Sequence, residues 1–277
     1  MAITNFIPEL WSALLLEQWN NTNVFSGLVN RDYEGVAARG NKVNITGVVA
    51  PTVKDYKTGD GSGARTTSAD AISDTGVDLL IDQEKSIDFY VDDIDRAQAA
   101  GSLEAYTLAG AEALAGDSDQ FIADMLVANG TAMAGSNPTT AAEAWNLIAK
   151  ALKELTQAGV PTVGRVVVAN PDFAYYLRTD SSKLTSVDTS GDSEGLRGGT
   201  IGAILGARVV ESANLPADGE PQFVAFHQRA AAYVSQIDQV EALRAENKFA
   251  DRIRALHVYG GKVVRPTGVR VFNQDGS

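Results

Sequence analysis

The chain has 277 residues, 44% hydrophobic and 21% charged, enough to bury a sizeable core as one large domain or two modest ones. Its 35 acidic against 23 basic residues give a net charge of −12, which argues against wrapping nucleic acid through phosphate neutralisation and against binding anionic membranes. There is no cysteine, so disulfides, thiolate nucleophiles and cysteine metal sites are excluded.

The N-terminus, MAITNFIPELW, lacks the basic start and apolar run of a signal peptide. No window approaches the ~18 apolar residues of a membrane span. A soluble cytoplasmic chain is the expectation, and the sequons Asn44-Ile45-Thr46 and Asn129-Gly130-Thr131 then carry no meaning.

Residues 1–42 read as an arm. Pro8-Glu9 opens a short helical stretch, ELWSALLLEQW, with Leu15, Leu16 and Trp19 on one face. From Lys42 the pattern turns to strand: KVNITGVVAPTVKDY is rich in Val, Ile and Thr, and Pro51 suits an edge. KTGDGSGARTTSAD cannot form a core, and GVDLLIDQEKSIDFYVDD reads as the returning strand. Two strands around a polar tip predict a long hairpin, too weak to stand alone and in need of a partner surface.

Asp92-Asp93-Ile94-Asp95 supplies acids that cap a helix N-terminus, and a long helix is predicted from about Leu103 to Val127. Gly110 and Gly116 inside it either mark a bend or leave Asp117-Ser118 to cap a second helix. TAAEAWNLIAKALKELTQAG is a second helix ending at Gly159, with Pro161 beyond. Then follow a strand (VGRVVVAN), a helix capped by Asn170 with Pro171 in its first turn, a polar loop, and the strands ARVVES and FVAFHQRAAAYVSQI. The C-terminal part reads as strands around a glycine turn at Gly260-Gly261. The fold class expected is α+β.

Two motifs overlap between Gly191 and Val210. Gly191-Asp192-Ser193-Glu194-Gly195 fits the G-x-S-x-G pattern of a hydrolase elbow, with Asp218 or Asp238 and His257 completing the chain order. An elbow needs an apolar strand before the serine, and SKLTSVDTS is polar. Gly199, Gly202 and Gly206 imitate a phosphate loop, but the run leads into a strand rather than a long helix. His227 and His257 lack metal-ligand spacing, and Asp92, Asp93 and Asp95 lack the rest of a calcium loop. No catalytic residue, cofactor site or metal site is assigned.

The order of elements resembles the major capsid proteins of tailed bacteriophages, a fold shared with encapsulin shells. RVVVANPDFAYYL is similar to that family's strand-to-helix step, GTIGAILGARVVESANLP to its turn into the next strand, and FADRIRALHVYGGKVVRPTGVRV to its closing strands. The resemblance implies an N-terminal arm at 1–42, an extended hairpin (the E-loop) at 43–91, a spine helix of the peripheral (P) domain at 92–138, an axial (A) domain at 139–235 and closing P-domain strands at 236–277. It further implies self-assembly into pentamers and hexamers of an icosahedral shell enclosing double-stranded DNA, located in the virion capsid after assembly in the host cytoplasm. Because the chain starts at the arm, a separate scaffold protein is implied, together with a portal, an optional decoration protein, packaged DNA without sequence-specific contacts and no membrane. Inter-subunit contact candidates are Leu15 and Trp19 on the arm and Lys54, Lys57, Asp60 and Arg65 on the hairpin. Some family members cross-link a loop lysine to an asparagine, for which Lys54, Lys57 and Asn273 are the residues at hand. An encapsulin-type compartment and a serine hydrolase centred on Ser193 are the alternatives.

Overall fold

The computed structural model of the protein describes residues 23–34, 41–48, 53–54, 56, 74–92, 104–179, 202–216, 219–245 and 247–273. After a single 3-10 turn at Phe25–Gly27 come strands β1 (Lys42–Val48), β2 (Asp74–Leu80) and β3 (Gln83–Asp92). Helix α1 (Glu104–Asn129), β4 (Thr131–Met133), helix α2 (Ala141–Gln157), β5 (Arg165–Ala169) and helix α3 (Pro171–Arg178) follow. The chain continues through β6 (Ala203–Ile204), β7 (Ala207–Glu211), β8 (Phe223–His227), β9 (Ala231–Arg244), β10 (Ala250–Val263) and β11 (Val269–Phe272).

The largest sheet has the order β4-β11-β8-β5-β7-β6 and carries helices on both faces. All five residues of β5 are buried, as a strand covered on both sides requires. Its side chains alternate between two cores. Val166 and Val168 join Ile122, Leu126, Phe226 and Val271 beneath α1. Val167 and Ala169 join Ile148, Leu152, Leu155, Phe173 and Phe223 beneath α2 and α3. Within the second core the rings of Phe173, Phe223 and Phe272 pack at 4.7 and 5.4 Å between neighbouring centroids.

Local chemistry sets the helix ends. The Thr140 hydroxyl accepts from Glu143 N–H while Glu143 accepts from Thr139, a reciprocal cap at the start of α2. The Asn170 side chain accepts from Phe173 N–H and Gln222 N–H, fixing the start of α3 to the strand beyond. Arg165, only 6% exposed, donates to the carbonyls of Leu152, Val160 and Pro161 and to the Thr156 hydroxyl. It thereby ties the last turns of α2 to the loop that leads into β5, where a cation also meets the helix dipole.

Three expectations are corrected. The long helix is one continuous 26-residue element, so Asp117 and Ser118 cap nothing; the Ser118 hydroxyl bonds back to Ala115. Gly110 makes room for Ile87, whose Cδ1 would lie 2.4 Å from an added Cβ. The returning run is not a single strand: Asp74–Leu80 pairs with β1, while Gln83–Asp92 pairs with β10. Gly260 and Gly261 form no turn, because both lie inside β10. Gly260 faces the Leu80 carbonyl, 2.1 Å from where its Cβ would stand, at the place where the returning run changes partner. Two segments of backbone touch there, and only glycine permits it.

The hairpin β1–β2 is not free-standing at its root. Val43, Ile45, Leu79 and Ile81 pack on Ala232, Val234 and Val258 of β9 and β10, and Ile81 N–H bonds to the Asn41 carbonyl. The partner surface that so short a pair needs is supplied in part by its own chain.

Candidate functional site

Strands β3, β10 and β9 form a three-stranded antiparallel sheet with β10 in the centre. Exposure along β3 alternates strictly, with Gln83, Lys85, Ile87, Phe89 and Val91 half-buried and Glu84, Ser86, Asp88 and Tyr90 exposed. Ile87, Phe89, Ile253 and Ala255 line the side facing α1, together with Ala111 and Leu114 of that helix. The opposite side carries Tyr90, Leu243 and Leu256 in the open, and Phe249 at the β9–β10 turn is 81% exposed.

Ion pairs cross this open side. Arg252 of β10 grips both oxygens of Asp88 on β3, and Arg254 grips Glu241 on β9, so the central strand is tied to each neighbour. The guanidinium of Arg252 also stands 5.6 Å from the Tyr90 ring centroid. Exposed pairs of this kind add little stability; the directly opposed Arg254–Glu241 pair and the diagonal Arg252–Asp88 pair set register and reject slipped alignments. Among the described residues no strand pairs with the outer edge of β3, which is thus a ready hydrogen-bonding template.

Hydrogen bonds from Arg252 hold the Asp88 carboxyl below its ordinary value of 3.8, and Lys42 does the same for Asp78 across the β1–β2 pair. A depressed folded value means that the pairing is fully present above 3.8 and is lost as pH falls through the folded values below it. Carboxyl titration by NMR is expected to place both groups below 3.8, and Arg252→Gln is expected to return Asp88 towards that value while leaving Asp78 unmoved. A shift of both by Arg252→Gln would contradict the separate pairing.

The residues picked out from sequence are only partly brought together. Leu15, Trp19, Lys57, Asp60, Arg65 and Ser193 lie outside the described residues, as do Gly191, Gly195 and Gly199. Lys54 is described and exposed. The Asn273 amide donates to Asn137 and to the Pro221 carbonyl at 2.6 Å each, so its nitrogen is engaged within the chain. His257 sits 3.1 Å from the Ser235 hydroxyl and packs against the Tyr259 ring. His227 bonds to the Val163 carbonyl through Nε2 and accepts from Arg229 N–H through Nδ1. Gly202 and Gly206 have φ of 68° and 80° and serve the tight β6–β7 hairpin, which rules out a helix-opening phosphate loop at these two glycines. Among the described residues no group of three or more His, Asp or Glu is placed to hold a metal ion.

A family model described as phage capsid protein matches residues 77–272. A solved structure from Mycobacterium phage Che8 is 71% identical in sequence, covers 100% of both chains and overlays with a TM-score of 0.90. The chain belongs to the phage capsid protein family. The fold of this capsid protein recurs in solved structures of much lower identity. The capsid of cyanophage P-SCSP1u shares 16% identity over 96% of this chain and 92% of that one, with a TM-score of 0.78. A virus-like particle from Pyrococcus furiosus shares 16% over 84% and 86%, with a TM-score of 0.57. A comparison with curated proteins gives no match.

This capsid protein is therefore a structural component of the virion shell, built from copies of itself, and not an enzyme. The hydrolase alternative at Ser193 falls with that assignment. What sequence reading missed is the open side of the β3–β10–β9 sheet. The signal was present in the period-two alternation of EKSIDFYV and RIRALHV, where charged and apolar residues share one face.

Proposed function

We propose that this capsid protein assembles, with a separate scaffold protein, into pentamers and hexamers of an icosahedral shell around a double-stranded DNA genome. The end-to-end match to the Che8 phage chain, together with the phage capsid family match over residues 77–272, carries this reading. Residues 1–42 act as the arm, 43–91 as the E-loop hairpin, 92–138 as the spine helix, 139–235 as the A domain and 236–277 as closing P-domain strands. The hairpin and arm reach neighbouring subunits, with Lys54, Lys57, Asp60, Arg65, Leu15 and Trp19 as contact residues. The outer edge of β3, unpaired among the described residues, and the open sheet side with Tyr90, Leu243 and Leu256 support a fold that is completed by further copies. A net charge of −12 suits a wall that does not gather its own genome, so DNA is packed through a portal without sequence-specific contacts. Assembly takes place in the host cytoplasm, and a decoration protein is an optional outer partner.

Expression with and without the candidate scaffold, followed by sedimentation and negative-stain electron microscopy of the heavy fractions, tests this. Closed shells of uniform size, or five- and six-membered rings, are expected. A sharp monomer or dimer in the presence of scaffold would overturn the reading.

A further inference from the structure

One end of the six-stranded sheet carries a basic cleft. Because β8 runs antiparallel to both β5 and β11, its C-terminus lies beside their N-termini, and β7 starts at the same end as β5. A cleft of about 470 Å³ opens there, lined by Val160, Pro161, Gly164, His227, Arg229 and Arg265 among others. Its described lining contains no aspartate or glutamate. Arg31, Lys42, Lys85, Arg178, Arg244, Arg252, Arg254 and Arg270 all close on carboxylates elsewhere in the fold. Among the described residues the guanidinium groups of Arg229 and Arg265, like the cations of Arg208 and Lys153, meet none, although the chain carries an excess of acids, and these two arginines share one cleft.

The walls are fixed before anything binds. The carbonyl of Ala230 accepts from both Val264 N–H and Arg265 N–H at 2.8 and 3.0 Å. His227 Nδ1 accepts from Arg229 N–H, so the proton of a neutral ring sits on Nε2 and is donated to Val163. Two apolar residues stand at the same end of the sheet: Val163, 84% exposed, and Leu205, 63% exposed. Leu205 occupies a turn position with φ of 49°, where asparagine or glycine is the usual choice. An exposed leucine in that conformation is an uncommon choice for a turn. Free arginines beside exposed apolar residues have the make-up of a protein–protein contact, whereas a phosphate backbone is met by runs of cations.

We propose that this cleft receives a carboxylate-bearing segment of a second copy of the chain, with Arg229 and Arg265 as the charged anchors and Val163 and Leu205 as the apolar contact. The inference rests on the shell reading above and names one of its subunit contacts. The double variant Arg229→Glu/Arg265→Glu is expected to keep the circular dichroism and thermal midpoint of the unassembled chain. At about 0.15 M salt it should need roughly tenfold more protein to form shells, while Arg229→Lys/Arg265→Lys keeps most of the wild-type behaviour. Leu205→Asn is a second probe: it relieves the turn, so the unassembled chain melts no lower, yet assembly weakens. Double-Glu and Leu205→Asn shells that form at wild-type concentration overturn the inference alone. Normal shells that lose only their DNA identify a phosphate partner and overturn it likewise. Wild-type chains that form no shell with scaffold present overturn both readings.

Discussion

Gly260→Ala is expected to destabilise the unassembled chain by about 3 kcal/mol, while Gly261→Ala beside it costs only about 1 kcal/mol. The difference lies in what each new methyl meets. At Gly260 it would stand 2.1 Å from the Leu80 carbonyl oxygen, 2.8 Å from Ile81 Cα and 2.9 Å from Leu80 C, all backbone. No rotamer change relieves that contact, so either β10 or the β2–β3 junction must move. At Gly261 the neighbours are Met125 Sδ at 3.1 Å, a Phe121 ring carbon at 3.2 Å and the Ala232 carbonyl at 3.3 Å. A thioether and a ring edge yield by small rotations. For a chain of this size the Gly260 variant should melt roughly 6–12 °C lower, measured on unassembled protein because assembly raises the apparent midpoint by mass action. The same variant should loosen the root of the hairpin, read as faster amide exchange at Ile81, whose N–H is bonded to Asn41. Equal effects from the two alanines would show that the β2–β3 junction adjusts freely.

That junction also marks the limit of what the sequence disclosed. Elements whose cause is local were legible: the apolar run of β5, the Asn170 cap with Pro171 behind it, and the helix α2 with its end before Gly159. Where a strand changes partner, nothing local announces it. LLIDQEK reads as one extended run, and only the arrival of β10 against Gln83–Asp92 divides it at Ile81. Gly260-Gly261 has the composition of a turn, but the same absence of Cβ serves a close backbone crossing inside a strand. Gly110 and Asp117-Ser118 misled in the same way, since Ile87 and the Tyr259 hydroxyl use them as partners from distant strands. The candidate contacts follow the same division. Arg252–Asp88 and Arg254–Glu241 depend on register, which no single strand encodes, and Arg229 and Arg265 come to line one cleft only because β8 and β11 lie side by side.

Replacing Asp119 should have the largest effect of any single carboxylate in the described fold. Its side chain is fully buried in α1 and accepts from Val24 N–H at 3.1 Å, Ser26 N–H at 3.0 Å and the Asn214 amide at 2.9 Å. One group thus holds three segments together: the 3-10 turn that seats Phe25 in the core, the helix, and the loop after β7. Asp119→Ala strands all three donors and opens a small void, an expected loss of about 4 kcal/mol. Asp119→Asn keeps the volume and one acceptor but turns an N–H₂ group towards donors, so about half of that loss is expected. Asn214→Ala removes the amide that Asp119 accepts from and should cost at least about 1 kcal/mol, with a coupling to Asp119 of about 1 kcal/mol in a double-mutant cycle. The local consequence separates this role from a general loss of packing. Amides at Val24 and Ser26 should lose their exchange protection in Asp119→Ala at temperatures where those of Val167 and Val168 keep theirs, because β5 lies at the centre of the sheet and the turn does not. The first described segment would then detach from the body of the subunit before the body melts, and, with residues 1–42 reaching neighbours as proposed above, shells should assemble poorly from a chain that still folds. Unchanged protection at Val24 and Ser26, with a melt within about 1 kcal/mol of wild type, would show that water or another donor arrangement replaces the carboxylate without loss.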